Sequence, residues 1–90
     1  MKVTMYTTAW CPYCKRAEAF LAAKGVQVID RIDVEAHAER RAEMIARTGR
    51  RSVPQIFICD RHIGGFDDLV TTDRNGHLKG LLAACAGNVA

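Results

Sequence analysis

An α/β fold, with a four-stranded mixed sheet flanked by helices, is predicted for this 90-residue chain by three features of its sequence. Strand-like alternation and helix-like periodicity take turns through the first half, two short apolar runs follow one another closely in the second, and no repeat, linker or low-complexity segment interrupts the series. The first feature implies a right-handed crossover between parallel strands, the second an antiparallel hairpin.

Lys2 to Thr7 alternates, with Val3 and Met5 on one face and Thr4 and Tyr6 on the other, as a strand rich in β-formers does. From Pro12 to Lys24 the residues are strong helix formers, and Cys14, Ala17, Phe20 and Leu21 fall at the spacing of a buried face. Gly25 after Lys24 is a helix stop. Val26 to Ile32 reads as a second strand with Val26, Val28 and Ile32 in phase, and Asp33 is expected to cap a helix running to about Thr48 and closed by Gly49. Its apolar stripe is Ala38, Ala42 and Ile45, with Met44 beside them, opposite Glu39, Arg40, Glu43 and Arg47. Gln55 to Cys59 is a compact apolar run, and the link Asp60-Arg61 to His62-Ile63 is short enough for a hairpin. Gly64-Gly65 then precedes a short helix, capped by Asp67 or Asp68 and running to about Thr72. After the turn Asn75-Gly76, Leu78, Leu81, Leu82 and Cys85 share one face of a final helix.

Composition narrows the function classes. The length suits a single domain over residues 1–90, and 49% hydrophobic with 26% charged residues describes a chain that buries a core. No apolar run approaches the roughly 20 residues that cross a bilayer, and Met-Lys-Val-Thr-Met-Tyr at the start lacks the apolar stretch of a secretory signal. A cytoplasmic protein with no membrane partner is expected. The net charge of +3 comes from basic residues scattered among acids, apart from Arg40-Arg41 and the stretch Arg47 to Arg51, and no aromatics interleave with them. A solvated basic surface explains this without nucleic acid as a partner, while an anionic small molecule stays open.

The four cysteines are Cys11, Cys14, Cys59 and Cys85. A stapled secreted scaffold would be denser in cysteine, and a four-thiolate zinc site would prefer two short-spaced pairs. The histidines fall in separate elements and form no ligand set, so no metal is expected. Redox chemistry is the leading reading of Cys11-Pro12-Tyr13-Cys14, which lies where the first strand gives way to the first helix. A sulfur at a helix N-terminus faces unpaired N–H groups and the positive end of the dipole, which favours its thiolate. Cys11 is therefore the expected nucleophile, and Pro12 suits the first helical position because it has no N–H to leave unpaired. Cys14, on the same face but inside the helix, is the expected resolving thiol. Lys15 and Arg16 add positive charge or simply face solvent. Cys59, ending a strand, and Cys85, on an apolar helix face, read as small buried hydrophobes.

Four signals in order complete the reading: Cys11-Pro12-Tyr13-Cys14 after Met5-Tyr6-Thr7, Ser52-Val53-Pro54-Gln55 before a strand, Ile63-Gly64-Gly65 after the hairpin, and Asp67-Asp68-Leu69 opening a helix. With them the chain resembles the dithiol, bacterial-type glutaredoxins over essentially its whole length. The resemblance implies a thioredoxin-like fold and a glutathione-dependent oxidoreductase that reduces protein disulfides and glutathionylated proteins through Cys11 and Cys14. Glutathione is then the cosubstrate, disulfide-containing or glutathionylated proteins are the other partners, and the chain works as a monomer without metal. It further implies a cis bond before Pro54 facing the cysteines, Val53 pairing its backbone with the cysteinyl part of glutathione, and Tyr13 against the bound tripeptide. Gly64 and Gly65 would admit the ligand to the backbone. Asp67, in preference to Asp68, would meet the γ-glutamyl end, and Arg41 the glycyl carboxylate. The chain departs from the family in having Thr8 where a lysine is common, with Arg40, Arg50 and Arg51 as possible substitutes, and Trp10 directly before Cys11. Two rivals are an electron donor reduced by a flavoprotein and a carrier of an iron–sulfur cluster; the glutathione constellation argues against the first and Pro12 against the second.

Overall fold

In the computed structural model, which describes residues 2–87, the elements follow the predicted order: β1 (Val3–Thr7), α1 (Pro12–Ala23), β2 (Ile29–Asp33), α2 (Ala38–Thr48), β3 (Gln55–Ile58), β4 (Arg61–Gly64), α3 (Phe66–Arg74) and α4 (Leu78–Gly87). The four strands form one sheet in the order β2-β1-β3-β4. β1 runs parallel to β2, with Val3 opposite Ile29 and Thr7 opposite Asp33, and antiparallel to β3, with Val3 opposite Ile58 and Tyr6 opposite Gln55. β3 and β4 are the antiparallel hairpin, with a register shift between Ile56 and Phe57.

The alternation of β1 sorts side chains into two cores rather than into core and solvent. Val3 and Met5 pack with Ile56 and Ile58 of β3, Ala17 and Leu21 of α1, Leu69 of α3, and Leu78, Leu82 and Cys85 of α4. Tyr6 points the other way and packs with Phe57, Val34 and Met44 of α2. Three helices therefore cover one face of the sheet and α2 the other, and β1, buried on both sides, can have no polar face. Each large side chain so buried contributes about 1.5–3 kcal/mol. On the α2 side the Tyr6 hydroxyl donates to a Glu43 carboxylate oxygen and accepts from Arg47 Nη1 at 2.8 Å, and the Arg47 guanidinium carbon lies 4.1 Å from the centre of the Phe57 ring.

Several local expectations are corrected. The second strand begins at Ile29, not Val26: Val26 is buried but closes the turn after α1, its N–H donating to Leu21 O at 3.0 Å, and Val28 is 75% exposed. Ile29 is the inward residue, one position out of the expected phase. Asp33 caps no helix; its carboxylate accepts from the N–H groups of Glu35 and Ala36, both at 2.9 Å, and builds a turn that delays α2 to Ala38. Those two bonds hold its carboxyl below the usual range. On α2, Met44 is the buried residue, whereas Ala38 and Ala42 are exposed, because the helix meets the sheet one position round from the expected stripe. Neither Asp67 nor Asp68 precedes α3; Gly65 does, and the helix runs on to Arg74. The hairpin loop is Cys59-Asp60, with Cys59 at φ 53°. Cys59 and Cys85, expected as separate apolar fillers, are joined in a disulfide with Cα atoms 5.7 Å apart.

Candidate active site

Three chain segments converge at the end of the sheet where β1 leads into α1. Cys11 stands directly before α1, with Pro12 as the first helical residue, and its sulfur accepts from the Cys14 N–H at 3.3 Å. Cys11 is partly exposed, whereas Cys14 is 1% exposed, and both are free thiols. Burial above all, and then its hydrogen bond with Cys11, pushes the Cys14 thiol up to about 11. Cys14 stays protonated at neutral pH. The Cys11 sulfur is the more exposed of the two and meets a backbone N–H at the helix start.

The second segment is the loop before β3. The Val53–Pro54 bond is cis, and Val53 O lies 3.8 Å from Cys11 Sγ, within reach of an S–H donor. Pro54 is buried. Gln55 fixes this loop from below: 1% exposed, it donates from Nε2 to Ser52 O at 3.0 Å, and its Oε1 lies 2.8 Å from His62 Nε2. Burial, with the Arg50 charge second, lowers the His62 pKa, so at neutral pH the ring is uncharged and its Nε2–H donates to Gln55.

The third segment is the turn from β4 into α3. Asp68 Oδ2 accepts from the Gly65 N–H at 2.8 Å and from Arg50 Nη1 at 2.7 Å, and the Arg50 bond is the main reason its carboxyl is held below the usual range. Gly64, at φ 116°, is required by this arrangement rather than by room for a ligand: a Cβ there would lie 2.7 Å from Asp68 Cγ. A Cβ on Gly65 would meet Pro54 O at 3.5 Å and Asp68 Oδ2 at 3.8 Å, both ordinary van der Waals contacts.

Between the second and third segments lies a cleft of about 240 Å³, lined by Tyr13, Arg50, Val53, Pro54, Gly65, Phe66, Asp67 and Asp68 among others. Of the residues named from the sequence, Tyr13, Val53, Pro54, Gly65, Asp67 and Asp68 are brought together there, and Val53 joins the cleft to Cys11. Arg41 does not line it; from α2 it donates through Nη1 to Arg51 O at 3.2 Å. The cation in the cleft is Arg50. The sequence offered it only alongside Arg40 and Arg51, as a substitute for the lysine that Thr8 replaces, without ranking the three. Gln55 and His62 were missed as supports of the loop, although Gln55 stood in a quoted motif. Tyr13 is 53% exposed, with Arg16 5.2 Å from its ring centre and the Phe66 ring centre 6.5 Å away, and Trp10 is 84% exposed. Among the described residues no cluster of three or more His, Cys, Asp or Glu could hold a metal ion, and no helix is long and apolar enough to cross a membrane.

A family model described as Glutaredoxin matches residues 3–63. The chain is 54% identical over 80 residues to a glutaredoxin of Neisseria meningitidis, covering 89% of this chain and 94% of that protein. It is 50% identical over 80 residues to glutaredoxin 3 of Escherichia coli, covering 89% of this chain and 95% of that one. Its structure is similar to the crystal structure of a buckwheat glutaredoxin–glutathione complex, with a TM-score of 0.84 at 28% identity, over 98% of this chain and 81% of the other.

Proposed function

Because the chain belongs to the glutaredoxin family, with its thioredoxin-like fold and thiol–disulfide oxidoreductase activity, we propose that it carries out that activity with glutathione as reductant. The observation that carries the reading is the inequality of the two thiols: Cys11 is accessible beside the cleft, and Cys14 is buried and protonated. On a glutathionylated protein, the Cys11 thiolate attacks the glutathione sulfur, the substrate thiolate leaves and takes up a proton, and a second glutathione thiolate then attacks the glutathionyl sulfur on Cys11, freeing the Cys11 thiolate and forming oxidised glutathione. On a protein disulfide, Cys11 attacks one sulfur and the other leaves as a thiolate that takes up a proton; Cys14 then loses its proton as it attacks Cys11 Sγ, expelling the second substrate thiolate, and two glutathiones reduce the Cys11–Cys14 bond, ending as oxidised glutathione. The cytoplasm, with its glutathione pool, is the compartment this chemistry fits.

We assign the cleft to the tripeptide. Val53, next to the cis Pro54 and lining the cleft, offers its backbone N–H and C=O to the cysteinyl unit, and Tyr13 covers it. The γ-glutamyl end carries both charges of an amino acid; Asp67, exposed, and Asp68 suit its ammonium, and Arg50 with the amides from Phe66 onward suits its carboxylate. Gly65 leaves the backbone open there. Arg41 takes the glycyl carboxylate once its guanidinium turns from Arg51 O.

The test is a glutathione-coupled reduction assay on a glutathionylated peptide and on a protein disulfide. Cys14→Ser is expected to keep the first activity and lose the second, and Cys11→Ser to lose both. Substantial activity in Cys11→Ser on either substrate sinks the assignment.

A further inference from the structure

We propose that Cys59 and Cys85 form a second dithiol–disulfide couple, opened by glutathione attacking Cys59, that locks α4 to the far end of the sheet. The bond joins the first residue of the β3–β4 loop to the last turns of α4, and the chain it closes contains all of β4 and α3. Cys85 is 2% exposed, whereas Cys59 is only partly buried, so an incoming thiolate meets Cys59 first. A cavity of about 440 Å³ lies against both cysteines, with Asp60, Arg61, Leu81 and Ala84 among its lining. Partly exposed disulfides are the ones that exchange with thiols, whereas buried staples resist.

Two further observations point the same way. Cys59 has φ 53°, a left-handed turn position that favours glycine or asparagine and that a β-carbon disfavours, so cysteine is there for its sulfur and not for its backbone. The fold also provides for the reduced state. With the bond closed, Cys59 Sγ lies 3.7 Å from Cys85 O and Cys85 Sγ 3.5 Å from Lys2 O, and these carbonyls are the nearest acceptors the two thiols would find on opening. The catalytic pair cannot do the opening within one molecule. Cys59 pairs with the start of β1, its N–H donating to Lys2 O at 2.8 Å, and Cys11 lies beyond the other end, a strand length of about 17 Å away at ~3.3 Å per residue.

The exchange balances with glutathione alone. A glutathione thiolate attacks Cys59 Sγ, the bond to Cys85 breaks, and Cys85 leaves as a thiolate and takes up a proton. A second glutathione thiolate attacks the glutathionyl sulfur on Cys59, releasing the Cys59 thiolate, which is protonated, and oxidised glutathione. Two electrons pass from two glutathiones to the protein.

The experiment uses the full chain carrying Cys11→Ser and Cys14→Ser, so that only the second pair reports. The protein is equilibrated in glutathione buffers from fully reduced to fully oxidised, approached from both ends, then alkylated and peptide-mapped by mass spectrometry, with thermal unfolding recorded in each buffer. The expected result is a single two-electron transition at Cys59 and Cys85, with Tm about 10–20 °C higher in the oxidised form, because the cross-link restrains the unfolded chain. In the Cys59→Ala, Cys85→Ala protein Tm does not respond to the buffer. The proposal is overturned if the pair is alkylated throughout, if it stays linked throughout, or if it opens without moving Tm.

Discussion

Replacing Gly64 by alanine bears directly on how the wall of the cleft is built. At φ 116° any L-residue is strained, by about 1–3 kcal/mol. The new Cβ would also lie 2.7 Å from Asp68 Cγ, so the carboxylate has to move. Moving it forfeits the bond from the Gly65 N–H, a capping interaction of about 0.5–2 kcal/mol. It also forfeits the Arg50 pair, whose side chains are 48% and 42% exposed and which therefore adds only about 0.2–1 kcal/mol. The whole loss is about 2–6 kcal/mol, or a Tm lower by some 10 °C or more. A double-mutant cycle with Asp68→Ala separates the parts, because without the carboxylate only the backbone strain remains. Urea unfolding followed by far-UV circular dichroism, at a fixed reducing potential, is expected to give a coupling of about 1–3 kcal/mol, outside the ~0.5 kcal/mol of independent sites. Additive losses would refute the claim that the carboxylate is what makes position 64 a glycine.

Three further outcomes are expected. Tyr6→Phe removes the hydroxyl that bridges Glu43 and Arg47 and costs about 1 kcal/mol, since Glu43 and Arg47 can turn to water; an unchanged urea midpoint contradicts this. The same hydroxyl is the main reason the Glu43 carboxyl is held below its usual range, so its stabilisation is present above the ordinary glutamate value and is lost as pH falls through the lower folded value. Between those two the wild type is expected to lose stability faster with acid than Tyr6→Phe does, and parallel acid profiles would contradict it. In Cys11→Ser, where burial still acts on Cys14, iodoacetamide labelling of Cys14 is expected to stay slow at neutral pH and to climb only at alkaline pH above the ordinary cysteine range; labelling at pH 7.5 at the rate of an exposed cysteine would contradict it.

The sheet was legible because its signals are local. Apolar runs and short links define β1, β3 and the hairpin, and Cys11-Pro12 marks the start of α1 with a helix-compatible φ and a missing N–H. What failed to show were features decided by which neighbour a residue meets. Val28 and Ile29 are both β-formers, and only pairing with β1 chooses Ile29 to face inward. Asp33 has the chemistry of a helix cap and spends it on a turn, because Val34 is drawn into the core before α2 can begin. At the site, short-range motifs named the thiols, Val53-Pro54 and the Gly64-to-Asp68 turn. Arg50 was not distinguishable from its neighbours until the ion pair with Asp68, eighteen positions on, set it in the cleft. The bond between Cys59 and Cys85 is equally non-local: neither residue carries a motif, and the approach of α4 to the β3–β4 loop alone makes them partners.

The central claim is that Cys11 is the one sulfur that takes up and releases glutathione beside the cleft. Incubating Cys14→Ser with oxidised glutathione and mapping the product by mass spectrometry tests it most directly. One glutathionyl group on Cys11, removed by added glutathione and formed more slowly when Asp67 and Arg50 are both replaced by alanine, is the predicted result. Glutathione carried only on Cys59 or Cys85, or no adduct on Cys11, would contradict it.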